Sequence, residues 1–144
     1  MSGARTVLGF DYGSKRIGVA VGQELTQTAT ALETLRVINA HPDWAAITRL
    51  IDTWKPAALV VGMPASADGA EHAITRAARR FSNQLHGRYR LPVHTVDERL
   101  SSYAAQYNEG GSHNARNKGA DIDRIAAQII LQTWLTHAHK GNPP

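Results

Sequence analysis

The stretch TVLGFDYGSKRIGVAVG, residues 6–22, decides the fold. Two apolar runs, residues 6–11 and 16–22, flank Tyr12-Gly13-Ser14-Lys15, and Gly13 is the residue that a turn with positive φ would want. The stretch reads as a β-hairpin whose first strand ends in an acid, Asp11. An ionised carboxylate beside an apolar run is costly to bury unless a cation or hydrogen bonds compensate it. The hairpin therefore asks which groups come to meet Asp11.

Outward from the hairpin, residues 28–37 (TATALETLRV) alternate roughly and predict a third, more exposed strand. Pro42 is read as opening a helix at a first-turn position, with Trp44, Ile47, Leu50, Ile51 and Trp54 as its apolar stripe. Both Trp residues are read as core. Residues 57–63 (AALVVGM) form a continuously apolar run that suits a central parallel strand covered on both faces. Residues 70–86 predict a long helix that buries Ile74, Ala77, Ala78, Phe81 and Leu85. Residues 91–96 (LPVHTV) give the next strand, which runs into Asp97-Glu98-Arg99. Ser101 or Ser102 could cap a short helix reaching about Asn108. The segment EGGSHNARNK (residues 109–118) reads as a mobile basic loop. A final helix is expected over residues 119–137, and the tail KGNPP is expected to be disordered.

The resulting order, β-β-β-α-β-α-β-α-α, predicts an α/β fold: a five-stranded mixed sheet with helices on both faces, in one domain spanning residues 1–138. In such sheets, sites form at the carboxyl ends of parallel strands. Asp11 and the Asp97-Glu98 pair lie at such ends. Alternation sends Asp97 and Glu98 to opposite faces, so one of them joins Asp11, and spacing leaves open which.

The last helix supplies a third acid. At about 100° per residue, Asp123 falls among Ile122, Ala126, Ala127, Ile130 and Trp134 on the apolar side. Asp121 falls on the opposite arc with Arg124, Gln128 and Gln132, where it favours the helix dipole. Small residues one turn above Asp123 let the helix approach the sheet. A carboxylate on a buried face must be neutralised, and two more acids ending strands suggest a shared divalent cation. Oxygen-only ligands suit Mg2+ or Mn2+, which keep waters and take up phosphate oxygens. Two such ions can position a water and stabilise the leaving oxygen in phosphodiester hydrolysis.

Composition narrows the reading further. The 144 residues include no cysteine, which excludes thiolate catalysis, disulfides and Cys-ligated zinc. Lys and Arg outnumber Asp and Glu by 16 to 12, a balance that suits a polyanion such as nucleic acid. No apolar run is long enough to span a membrane, and the N-terminus does not read as a signal peptide. A cytoplasmic location is expected. Few aromatics and no zinc finger point to recognition of shape and backbone rather than base edges.

The motifs FDYGSKRIGVAVG, VVGMPASADGAE, DERLS and NKGADIDRIAAQIIL, in that order over nearly the whole chain, resemble the YqgF (RuvX) family of Holliday junction resolvases and pre-16S ribosomal RNA nucleases. The resemblance implies a ribonuclease H-like fold, with strands one to three antiparallel and strands four and five parallel beside strand one. It implies metal-dependent nuclease chemistry at Asp11, at Glu98 from the DER motif, and at Asp123 before the Ala-Ala pair. NKGADID carries one residue more than the usual family spacing, which brings Asp121 into contention; the ungapped match of DRIAAQIIL favours Asp123.

Lys15 and Arg16 beside Asp11, Arg99 after Glu98, and Lys118 are the candidate phosphate-binding cations. Arg76, Arg79, Arg80 and Arg88 could track a nucleic-acid backbone along the middle helix, although a solvated face is the simpler reading. His113 is a candidate proton shuttle. His94, inside a strand, reads as a core residue or one that supports the site. The expected activity is a Mg2+- or Mn2+-dependent endonuclease acting on structured nucleic acid, either pre-16S rRNA or branched DNA, as a monomer or homodimer. Two rivals remain. A phosphate-binding enzyme of the sugar kinase and actin type would need a second such domain. A non-catalytic ribosome- or nucleic-acid-binding factor would not need its three acids.

Overall fold

A computed structural model describes residues 5–63, 73–97 and 118–140, with side chains in the last segment described for residues 123–137. Strands β1 (Thr6–Tyr12), β2 (Arg16–Gln23) and β3 (Thr28–Ile38) follow one another antiparallel. A two-residue strand β4 (His41–Pro42) turns back on β3. Helix α1 (Trp44–Trp54) leads to β5 (Ala58–Met63), α2 (Ala73–Tyr89) leads to β6 (Val93–Asp97), and α3 (Lys118–Lys140) comes last. The sheet order is β4-β3-β2-β1-β5-β6, with β5 parallel to β1 and β6 parallel to β5. β1 runs one residue past the expected end at Asp11, to Tyr12, and sits inside the sheet, paired on both sides.

The strand alternation sorts the core into two layers. Leu8, Phe10 and Tyr12 of β1 and Ile17, Val19 and Val21 of β2 face α1 and α2, where they pack with Ile47, Leu50, Ala78, Phe81 and Leu85. Phe81 is the hub of this layer, with ring contacts to Phe10, Tyr12 and Trp44. Val7, Ala20, Ala58, Val60 and Val96 face the other way and pack on Ala127, Ile130, Leu131 and Leu135 of α3. Trp44 and Trp54 pack against the first layer, as the helical stripe predicts.

The sheet has six strands rather than five, and Pro42 does not open α1. Asn39 and Ala40 both take positive φ (53° and 65°), the geometry of a tight hairpin turn, and carry the chain back so that Pro42 pairs with Val37. A proline lacks the donor that an inner strand needs, so an edge position suits it. Asp43 is the helix cap instead, its carboxylate accepting from the Ala46 amide at 3.1 Å. His94 is exposed on the edge strand β6 and stacks on Trp134 at 5.0 Å, outside the core. The expected short helix over residues 101–108 and the loop over 109–117 lie outside the described residues, as does the end of the tail, residues 141–144. No helix among the described residues is long and apolar enough to cross a membrane.

Candidate active site

The register of the sheet sets up a row on the α3 side. Asp11 pairs with Gly18 of β2 on one flank and with Gly62 of β5 on the other. Gly18 pairs onward with Thr34, and Gly62 with Val96. Val96 and the β2 neighbour Ala20 belong to the α3 layer, so Asp11 projects towards α3 from between two glycines. It is half-buried. Cross-strand partners sit about 4.5–5.5 Å apart at Cα.

Helix α3 enters this row at Asp123. A Cβ built on Gly18 would lie 1.9 Å from the Asp123 carbonyl oxygen and 2.4 Å from its carbonyl carbon. Only glycine lets the helix backbone come down onto β2 there. Gly18 is therefore flanked in the sheet by Asp11 and covered from above by Asp123. Asp123 lies on the sheet side, as helical spacing predicts, but the arc read as opposite is not turned away: Gln128 donates to the Ala29 carbonyl at 2.9 Å and Gln132 accepts from the Ala29 amide at 3.1 Å, both on β3. Asp121 lies among the residues whose side chains are not described.

The turn brings a cation to the same place. Arg16 Nε donates to Asp123 Oδ2 at 2.5 Å, with the two side chains 46% and 21% exposed. A pair this open to solvent contributes about 1 kcal/mol or less. The turn is fixed by the Gly13 amide donating to the Arg16 carbonyl and by the Val37 amide donating to the Lys15 carbonyl, both at 2.9 Å. Lys15 is exposed beside it.

The alternation that places Asp11 also places Asp97. Val96 faces α3, so Asp97 faces the α1 and α2 side and does not join Asp11. Glu98, Arg99 and His113 lie outside the described residues, and of Lys118 only the backbone is described. Among the described residues, no three His, Cys, Asp or Glu side chains form a metal-binding group. Two acids of the expected three are thus brought to Gly18, with the third on the undescribed segment that directly follows β6.

The arginines of α2 do not form one stripe. Arg88 leaves the others and lies over the Trp44 ring, 4.0 Å from its centroid. Arg36, one exposed cation among many in the sequence, is the direct cross-strand partner of Arg16.

The family described as "RuvX: Holliday junction resolvase" matches residues 5–137. The chain belongs to the RuvX family. A relative from Nitrosococcus oceani is 52% identical over 132 residues, covering 92% of this chain and 87% of the relative. One from Pseudomonas putida is 47% identical over 137 residues, covering 94% and 97%. Both are named "Putative pre-16S rRNA nuclease". Among solved structures, Thermus thermophilus RuvC in complex with a Holliday junction substrate superposes with a TM-score of 0.61 at 19% identity, covering 96% of this chain and 97% of that one. The RuvX chain thus has a RuvC-like, ribonuclease H-like fold, as the resemblance implied. The nuclease reading of the sequence agrees with the names its relatives carry.

Proposed function

We propose that this chain is a Mg2+- or Mn2+-dependent endonuclease that acts on structured RNA, with the 5′ end of precursor 16S rRNA as its substrate. The observation that carries the reading is the convergence of Asp11 and Asp123 on Gly18, with cationic Arg16 against Asp123 and Lys15 beside it. The donor set is all carboxylate oxygen, which fits a hard divalent cation. Asp11 and Asp123 would hold it, with Glu98 as the third ligand; Asp97 on the opposite face supports Glu98 as the choice. Such a cation supplies positive charge at the phosphate and lowers the pKa of a water.

The chain's own residues do the rest. The two glycines beside Asp11 keep apolar side chains away from its carboxylate. Arg16 and Lys15 hold phosphates, joined by Arg99 and Lys118. His113 is the candidate proton carrier. The site acts in the cytoplasm, on a single copy of the chain or within a homodimer.

The rRNA assignment rests on relatives that match nearly end to end at 47–52% identity and carry that name. A second reading, cleavage of a four-way DNA junction, is favoured by the family description and by the junction bound to the RuvC neighbour. The deciding experiment cleaves labelled precursor 16S RNA and junction DNA side by side in Mg2+ and in Mn2+. RNA is expected to be the better substrate. Asp11→Asn and Asp123→Asn are expected to abolish cleavage while keeping the fold and most nucleic-acid binding. Wild-type cleavage by Asp11→Asn would end the nuclease reading.

A further inference from the structure

Resting on the nuclease reading above, we infer that Arg36 is a further substrate-binding residue, which joins Arg16 to hold the phosphodiester backbone beside Asp11 and Asp123. The antiparallel register sets Arg36 directly opposite Arg16. Its neighbours Leu35 and Val37 are buried in the layer facing α1 and α2, so Arg36 projects to the α3 side with Arg16, Thr34 and Asp11. It lies two residues beyond Thr34, which shares the row of Asp11 and Gly18.

Like charges directly opposite on a sheet are destabilising, so this pairing works against the free chain. Arg16 is partly neutralised by Asp123. Arg36 is exposed, and no carboxylate among the described residues pairs with it. Arg5 pairs with Glu24, Arg49 pairs with Glu33, and Arg88 covers Trp44. The backbone around Arg36 is held at both sides, with the Val37 amide on Lys15 and the Arg36 carbonyl accepting from Asp43 at 3.2 Å. Two arginines set opposite each other on a held backbone, on the side of the sheet that carries two acids, suit a phosphate whose two free oxygens need donors. A bound phosphate would turn an unfavourable cross-strand pair into a favourable one.

The test uses the full chain and a fluorescein-labelled precursor 16S RNA fragment. Binding is followed by anisotropy over a salt series, in an Asp11→Asn background so that the RNA stays intact. Arg36→Gln is expected to weaken binding about fivefold or more and to reduce the slope of log K against log salt by about 0.7–0.9. Arg36→Lys is expected to recover the slope, and Arg49→Gln to leave both quantities unchanged. The melting temperature of Arg36→Gln should equal or exceed that of its parent, because a like-charge pair is removed; a melting temperature well below it would assign Arg36 to the fold instead. Unchanged affinity and slope in Arg36→Gln would overturn the inference. If Asp11→Asn still abolishes cleavage in that case, the nuclease reading stands without it.

Discussion

Replacing Gly18 by alanine adds one methyl group, and the structure says where it goes. The new Cβ would meet the Asp123 oxygen at 1.9 Å, its carbonyl carbon at 2.4 Å and the Arg124 amide nitrogen at 3.1 Å. All three are backbone atoms, so no side-chain rotation relieves the overlap. Either β2 or the start of α3 must retreat by more than about 1 Å to reach ordinary contact. Overpacking of a buried position typically costs about 1–3 kcal/mol, and a clash with backbone belongs at the upper end. For a domain of this size, 1 kcal/mol lowers the melting temperature by about 3–4 °C, so Gly18→Ala should melt roughly 10 °C lower.

The same movement carries Asp123 away from Asp11. A displacement of about 1 Å at a catalytic group can cost on the order of 100-fold in rate. Cleavage by Gly18→Ala, measured well below its melting temperature, should therefore fall by about that factor. Gly87→Ala is the internal control. Gly87 lies in α2 and nothing approaches its Cβ position within 4 Å. The identical substitution there should stabilise by about 0.5–1 kcal/mol through helix propensity and leave cleavage unchanged. Differential scanning calorimetry and the RNA cleavage assay read both variants. If Gly18→Ala melts within 2 °C of the parent and cleaves normally, α3 does not rest on β2 as described, and the site built on that contact fails.

Arg16→Ala frees the Asp123 carboxylate from a competing cation, so Mn2+ should bind about three- to fivefold more tightly by calorimetry while RNA binding weakens. Unchanged Mn2+ affinity would show that the pair does not compete with the metal. Asp97→Asn should keep cleavage within about threefold of the parent, since Asp97 faces away from Asp11; loss comparable to Asp11→Asn would reverse the choice of Glu98.

Patterns of one period were legible in the sequence. The apolar runs of β1 and β2 about the Gly13 turn gave the hairpin, and the 100° spacing along α3 put Asp123 on the sheet side. What these patterns could not supply was register, because register is a relation between strands and not a property of either one. Arg36 escaped for that reason: alone in TATALETLRV it is one exposed cation among many, and it acquires meaning only opposite Arg16. That Asp97 turns away from Asp11 became visible only through the pairing Gly62↔Val96 together with the burial of Val96 on α3. β4 escaped for a local reason. Its turn reads Asn39-Ala40, and alanine does not advertise the positive φ it adopts, as a glycine would. His94 sits in a run that reads as buried because its strand neighbours are apolar, yet β6 is an edge and leaves that position exposed.

Gly18 serves the fold and the site through one property, the absence of a side chain. A sheet that buries α3 against β1 and β2 needs small residues wherever the helix backbone is closest, and Gly9, Gly18 and Gly22 supply them along two adjacent strands. A Cβ at Gly9 would meet Leu131 Cβ at 2.8 Å, and one at Gly22 would meet Leu131 Cδ2 at 2.9 Å with Leu135 Cδ1 and the Thr28 carbonyl oxygen at 3.0 Å. At Gly18 the approach is backbone on backbone, and it occurs at the level of Asp11 and at the residue that carries the second carboxylate. With Asp11 beside this glycine and Asp123 above it, a cation suits the place. Arg16 offers one from the start of β2, two residues before that glycine. The hairpin near the start of the chain thus carries, within residues 11–18, an acid, the glycine that seats a second acid, and the cation that pairs with that second acid.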